Sequence, residues 1–178
     1  MKKFLAAGAA IATAATLAVA PIADAKGKPG DQSIVEIAQS NGDFDTLVAA
    51  VLCADPLVLE TLTSGDKYTV FAPTDAAFET TLGVDAGTVC DLPTGLLTDV
   101  LLYHVTEGRR FSNSVVPKGP QPRTIDPLLG ASFQVNGNLE ITDVDTGTAP
   151  TIVAPFNVNA SNGVIHAIDE VLLPIQVS

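Results

Sequence analysis

The hydrophobic residues in the first half of the chain recur with the spacing of an α-helix. From Phe44 to Leu52 they fall at i, i+3, i+4, i+7 and i+8, which predicts an amphipathic helix that Asp43 is placed to cap. Ser33 and Glu36 have the spacing of a capping box, so a short helix is expected there as well. The pattern therefore predicts two consecutive helices near the start of the folded region.

Two further helices are predicted from their ends and their apolar faces. Asp55 followed by Pro56 is typical of a cap and a first helical residue, and Gly65 can end that helix. From Thr94 to His104 the apolar positions share one helical face with the histidine. We therefore expect His104 to point inward.

Between these helices, a short apolar strand from Tyr68 to Ala72 leads into a sharp corner. Pro73 breaks the strand, and the hydroxyl of Thr74 can accept a hydrogen bond from a free backbone N–H of the next helix. Asp75 places a negative charge against the positive end of that helix, and Phe78 can pack back onto Pro73. These residues are interpreted as determinants of the fold.

After Arg109 the pattern changes to alternating strands separated by turn residues. A proline-rich loop follows the first of them, and apolar residues on both faces of the last one indicate a strand covered on both sides. Helices in the first half and strands in the second predict a single α+β domain without internal repeats. The predicted strands are Phe111 to Val116, Ser132 to Val135, Leu139 to Thr142, Thr151 to Val158 and Val164 to Leu173.

The N-terminus has the features of a secretory signal peptide. Lys2 and Lys3 precede an apolar run from Phe4 to Ala20, and Ala23-Asp24-Ala25 has the form of a cleavage site. We predict a signal peptide over residues 1–25, a linker over 26–32 and one domain over 33–175. A retained transmembrane helix is the alternative. The first interpretation predicts a secreted, periplasmic or cell-surface protein with no integral span in the mature chain, and the paired lysines suggest a bacterium.

Charge narrows the choice of partners. The chain has 20 acidic and 9 basic residues and a formal net charge of −11, so neither nucleic acid nor anionic lipid is an expected partner. Arg109, Arg110, Lys118 and Arg123 nevertheless fall in one short, proline-containing interval. Such a basic loop can bind an acidic polysaccharide or an acidic protein surface. A solvated loop that balances nearby acids is the alternative.

Cys53 and Cys90 are the only cysteines. Export favours a disulfide between them over two buried free thiols, because disulfides persist outside the cytoplasm. In the chain-entropy model such a bridge contributes about 4 kcal/mol.

The histidines suggest chemistry, but a structural role is preferred. His104 and His166 are interpreted as hydrogen-bonded core residues. Asp169 and Glu170 follow His166, yet adjacent strand residues face opposite sides, so only one of them can join it. The segment from Asp143 to Gly147 lacks the ligands of a calcium loop and is better explained as a hairpin turn. We therefore predict no catalytic residue, no metal and no cofactor.

Two long segments and a dipeptide together resemble the fasciclin family. The segments run from Tyr68 to Phe78 and from Asn162 to Pro174, and Tyr103-His104 lies between them. The resemblance implies a β-sandwich or wedge of two sheets flanked by helices, in proteins associated with cell adhesion and matrix binding. In animal members the region of the Tyr-His pair is linked to integrin binding, which makes Tyr103 and His104 candidate binding residues. The fold-determining positions within the motifs are Thr74, Asp75, Phe78, Asn162, Gly163, His166 and Asp169.

These observations lead to the expectation of a binding module rather than an enzyme. Its partner would be a surface or matrix protein, or an acidic polysaccharide. The alternative is an extracellular carrier of a small apolar ligand held between helices and sheet. A hydrolase with a site assembled in space is a third, weaker alternative. The sequence makes no prediction about oligomeric state.

Overall fold

The computed structural model describes residues 30–144 and 149–174. The predicted signal peptide, residues 26–29 of the predicted linker, residues 145–148, which include the last three of the predicted turn, and the last four residues of the chain lie outside this part. The described chain starts three residues before the first predicted helix cap. There the carbonyl of Gln32 accepts a hydrogen bond from the Ser161 N–H at 2.7 Å, so this end of the linker contacts the folded domain.

Three of the described helices begin at the side-chain caps that the sequence indicates. Ser33 and Glu36 form the capping box, Asp55 accepts a hydrogen bond from the Leu57 N–H, and Thr74 accepts one from the Ala77 N–H. The helices are α1 (Ile34–Ser40), α2 (Asp45–Cys53), α3 (Pro56–Thr63), α4 (Asp75–Leu82), α5 (Thr94–Tyr103) and α6 (Ser112–Val115), with a 3₁₀ turn at Val89–Asp91.

Helix α2 is capped differently from the prediction. It begins at Asp45, and the side chain that caps its first turn belongs to Asp75, whose carboxylate accepts from the Thr46 N–H at 2.7 Å. The carbonyl of Asp43 accepts from the Asp75 N–H at 2.9 Å. The prediction that Asp43 caps this helix was therefore wrong, because the cap comes from Asp75, 29 residues after the Thr46 whose N–H it accepts.

One further element differs in type from the sequence-based expectation, whereas the end of α3 lies close to the expected Gly65. The segment predicted as a strand from Phe111 to Val116 contains helix α6, whose Ser112 N–H donates to the side chain of Asn157 at 2.6 Å. This distant cap favours a helical turn over an extended strand. Helix α3 ends at Thr63, before Gly65.

Within the described residues, seven strands form two sheets. In the first sheet the order is β2-β1-β7-β6; β1 and β7 are parallel, and the other pairs are antiparallel. The second sheet is antiparallel in the order β3-β4-β5. The strands are β1 (Tyr68–Pro73), β2 (Val105–Glu107), β3 (Arg123–Ile125), β4 (Phe133–Val135), β5 (Ile141–Thr142), β6 (Ile152–Ala160) and β7 (Gly163–Ile168).

The first sheet is covered on both faces. Val70 and Ala72 of β1 belong to the core shared with the helices, whereas Phe71 between them belongs to the core shared with the second sheet. The ring of Phe71 meets Phe133 of β4 edge to face, with centroids 5.1 Å apart. All six residues of β7 are buried, which confirms the prediction of two-sided burial, although the strand ends at Ile168. The fold is the expected α+β arrangement of two sheets flanked by helices.

A disulfide joins Cys53, at the end of α2, to Cys90 in the 3₁₀ turn. It fixes one end of a helix that also packs on α1 and α5. Within the described residues, no single helix has the length and apolar composition needed to cross a membrane. Helices α2 and α3, which are bent by 119° at their junction, meet the length and composition requirements only when they are counted together.

Candidate functional site

Gly163 and Asn162 hold the beginning of the central strand β7. A Cβ atom at position 163 would overlap the carbonyl oxygen of Tyr68 and lie 2.6 Å from Cδ1 of Ile34, so the parallel strands leave no room for a side chain. The side chain of Asn162 accepts from the Ile34 N–H at 2.9 Å and donates to the Leu62 carbonyl at 2.7 Å. One asparagine thus connects the start of α1, the end of α3 and the sheet.

The other motif residues also make contacts that fix the fold. Asp169 accepts from the Thr151 N–H at 2.6 Å and so holds the start of β6 beside the end of β7. Phe78 is buried in the helix-side core. Together with the caps made by Thr74 and Asp75, these contacts support the interpretation of the motifs as structural.

The Tyr103-His104 pair lies in the interior. The exposed fractions are 0% for Tyr103 and 1% for His104. Nδ1 of His104 lies 2.6 Å from the Val100 carbonyl, and Nε2 accepts from the Leu172 N–H at 2.9 Å. This arrangement requires the proton on Nδ1. Burial lowers the pKa of His104 to about 4, so the ring is neutral at pH 7.

Tyr103 is a neutral interior residue as well. Burial, with the nearby negative charge of Asp143 as a second cause, raises the pKa of its hydroxyl to about 12. Its ring packs edge to face against Phe133, with centroids 5.7 Å apart. At this burial a macromolecular partner at the outer surface cannot reach the side chains of Tyr103 and His104 without moving the core, although His104 lines the apolar cleft described below.

His166 has a similar role on the other side of the sheet. Its ring stacks on Phe71, Nε2 lies 2.8 Å from the Arg110 carbonyl, and Nδ1 accepts from the Asn157 N–H at 3.4 Å. Burial lowers its pKa. This agrees with the interpretation of both histidines as hydrogen-bonded core residues. In the described part of the chain, no group of three or more His, Cys, Asp or Glu side chains is arranged to hold a metal ion.

The four basic residues of the predicted binding loop are divided by the fold. Nη2 of Arg109 donates to the carbonyls of Ala160 and Ser161, and Nε of Arg110 donates to the Glu107 carbonyl at 3.2 Å. These two arginines help to hold the β6–β7 turn and the end of β2. Lys118 and Arg123 lie further along, before and at the start of β3; both are exposed, as is Arg109, whereas Arg110 is half-buried.

An apolar cleft lies between helices and sheet, where the carrier alternative expected a groove whose residues the sequence did not identify. It encloses about 110 Å³ between the helices and the first sheet. Leu52, at its edge, is 64% exposed although it belongs to the apolar face of α2. That exposure is invisible in the sequence, because the helical pattern alone places Leu52 with the core. The lining residues are Ile34, Val35, Ala38, Gln39, Leu47, Val48, Val51, Leu52, Leu59, Leu62, Val70, Leu101, His104 and Val105.

Comparisons with known proteins agree with this geometry. The Fasciclin domain model matches residues 42–174. Protein sll1483 of Synechocystis is 37% identical over 146 residues, which cover 80% of this chain and 73% of that protein. The cell surface glycolipoprotein MPB83 of Mycobacterium bovis is 32% identical over 146 residues, or 79% of this chain and 60% of that protein. The chain therefore belongs to the fasciclin domain family.

The same fold occurs in a solved structure, a FAS1 domain pair from the insect cell adhesion molecule Fasciclin I. The TM-score is 0.63 and the sequence identity is 14%, and the match covers 80% of this chain and 51% of the other. The likeness at this identity concerns the fold. The chain spans about half the length of that pair.

Proposed function

We propose that this protein is an extracellular binding module that acts in cell adhesion or in matrix and biofilm interactions. The observation that carries the proposal is the division between interior and surface. The Tyr-His pair and His166 are used in the core, while Lys118 and Arg123 remain exposed on an otherwise acidic chain. A cell-surface relative and the shared fold with an adhesion molecule support it.

The partner that fits this surface is an acidic polysaccharide or an acidic protein surface. A chain with a formal net charge of −11 repels polyanions at long range. Attraction must therefore come from short-range, charge-assisted hydrogen bonds to local cations. Such binding is expected to be weak and to fall as salt screens the charges.

Single charge-removing variants can test the polysaccharide form of this proposal. In binding of alginate at low salt, Lys118→Gln and Arg123→Gln are each expected to lower affinity by about threefold or more. Lys67→Gln removes the same charge elsewhere, where Nζ donates to the Ser161 carbonyl, and serves as the matched control. Equal losses for all three variants would show a general charge effect and contradict the assigned surface.

The proposed location is outside the cytoplasm. The predicted signal peptide and the cell-surface relative support it. N-terminal sequencing of protein from the medium, periplasm or surface fraction of the producing cells is expected to begin at Lys26. Recovery of a chain with an intact N-terminus from the cytoplasm alone would oppose this location.

A second candidate function is supported by the apolar cleft. Pockets lined mainly by hydrophobic side chains are typical of small-molecule sites. The protein is then a carrier of a small apolar ligand, with or without an adhesive surface. Native mass spectrometry of the purified protein, followed by solvent extraction, is expected to reveal a co-purified apolar molecule. A mass equal to the polypeptide alone, together with no binding of apolar probes, would count against it.

A further inference from the structure

The cleft offers no ionic contact to a ligand. Among the described residues that line it, Gln39 and His104 are the only polar ones. Both ring nitrogens of His104 already make hydrogen bonds to the backbone, at Val100 and Leu172. A charged headgroup placed inside would lose its water and gain no partner of opposite charge, which is strongly unfavourable. The lining therefore selects against charged ligands.

The size of the cleft limits how much of a ligand it can enclose. An apolar cavity of about 150 Å³ is known to hold benzene. The enclosed volume here is about 110 Å³, which suits a short stretch of hydrocarbon chain or the end of a larger molecule. Any longer ligand must continue across the mouth, where Leu52 is exposed and Val35 and Val48 are half-buried.

We propose that the cleft binds an uncharged, elongated apolar small molecule whose end inserts between α1 and α2 and whose remainder lies across Leu52. This inference rests on the second candidate function above and adds the chemical class of the ligand. The two apolar helix faces supply the contact area, and Leu52 extends it beyond the enclosed part. The unfavourable burial of a charge supplies the selectivity.

Two fluorescent probes with the same aromatic skeleton can test the selectivity on the full chain. N-phenylnaphthylamine is uncharged, whereas anilinonaphthalene sulfonate carries one negative charge. We expect the uncharged probe to bind at least about tenfold more tightly. Tighter or equal binding of the sulfonate in the cleft would overturn the inference while leaving a carrier function intact.

Three variants test whether the probe binds in the cleft and across its mouth. Val48→Phe adds bulk to the cleft wall and is expected to weaken binding of N-phenylnaphthylamine by about tenfold or more. Leu52→Gln removes the apolar mouth and is expected to weaken it by about threefold or more. Leu57→Gln is the matched control, because Leu57 is 55% exposed on the neighbouring helix α3 and does not line the cleft. Equal effects of Leu52→Gln and Leu57→Gln would overturn the assigned mouth.

The same variants distinguish the proposed ligand from other occupants of the cleft. A co-purified uncharged apolar molecule that is lost from Val48→Phe supports the inference even if it blocks the probe. A co-purified anionic lipid that is lost from that variant overturns it. A dimer of the wild-type chain that dissociates in Leu52→Gln assigns the cleft to a second copy and also overturns it. A folded Val48→Phe protein, shown by an unchanged far-ultraviolet spectrum, is required for each comparison.

Discussion

At the scale of single residues, the fold is most constrained where β1 and β7 run side by side. A methyl group on Gly163 would overlap the Tyr68 carbonyl oxygen and approach Cδ1 of Ile34 to 2.6 Å. Backbone cannot yield as easily as the end of a flexible side chain, so the parallel pair has to separate. The sequence marked Gly163 as a fold determinant, but only the structure shows which atoms exclude a side chain.

Replacing this glycine is therefore expected to destabilise the protein. We expect Gly163→Ala to lower the free energy of unfolding by about 3 kcal/mol. Gly95→Ala is the matched control, because nothing lies within 4 Å of a Cβ at this position in α5. Alanine has the higher helix propensity, so this control is expected to be neutral or to stabilise by up to about 1 kcal/mol. Urea unfolding of both variants measures the difference, and similar values would contradict the steric argument.

The two histidines are expected to be neutral and to carry their protons on different nitrogens. His104 requires the proton on Nδ1, because Nε2 accepts from Leu172, whereas His166 requires it on Nε2, because Nδ1 accepts from Asn157. Ring-nitrogen NMR at pH 7 is expected to show one ring of each tautomer. Spacing in the sequence indicated that both rings are buried. It could not indicate the tautomers, because each ring also contacts a distant residue, Leu172 for His104 and Arg110 for His166.

Stability is expected to decrease as the solution is acidified. The pKa of His104 is about 4 in the folded protein, so the unfolded chain binds a proton first as pH falls. The stabilisation is complete above the unfolded pKa of about 6.5 and is lost progressively toward pH 4. His104 alone is expected to account for about 3 kcal/mol across this range, and His166 acts in the same direction. Urea unfolding at several pH values tests this, and constant stability over the window would contradict it.

At the scale of secondary-structure elements, helix α2 shows how a tertiary contact replaces a local one. Sequence spacing assigned its cap to Asp43, but the carboxylate of Asp75, in the next motif, accepts from the Thr46 N–H. The corner that starts α4 therefore also fixes the start of α2. This dual role explains why the segment after β1 is so rich in polar caps.

The two aspartates provide a direct test of that contact. Asp75→Ala is expected to lower the free energy of unfolding by about 1–2 kcal/mol, because it leaves the Thr46 N–H without its acceptor. Asp43→Ala keeps the backbone carbonyl that Asp75 uses and is expected to change stability by less than about 0.5 kcal/mol. Thermal or urea unfolding measures both. A larger loss of unfolding free energy for Asp43→Ala than for Asp75→Ala would contradict this account and support the predicted cap by Asp43.

Helices and strands with strong local sequence signals were predicted correctly, whereas those that depend on contacts with other parts of the chain were not. Tyr68–Pro73 and the helices with clear caps follow from alternation and spacing in the sequence. The strand Val105–Glu107 has only three residues and exists because it pairs with β1, so the local pattern did not reveal it. The helix at Ser112–Val115 depends in the same way on Asn157.

At the scale of the whole molecule, the family and the layered arrangement were predicted correctly, because the motifs and the change from helices to strands are both visible in the sequence. An apolar groove between helices and sheet was an alternative expectation, but its lining residues could not be predicted, because they depend on how α1, α2, α3 and α5 approach one another over the sheet. The cluster of basic residues from Arg109 to Arg123 was visible in the sequence, but the different contacts of its members were not. Arg109 and Arg110 bind backbone carbonyls, and Lys118 and Arg123 remain exposed.

The central claim is that binding occurs outside the buried Tyr-His pair. The most direct test is the mapping of backbone amide NMR shifts while an alginate oligosaccharide is added at low salt. We expect the largest shifts around Lys118 and Arg123, and little change at Tyr103 and His104, which are 0% and 1% exposed. Shifts centred on Tyr103 and His104, with none at the exposed basic residues, would contradict the account.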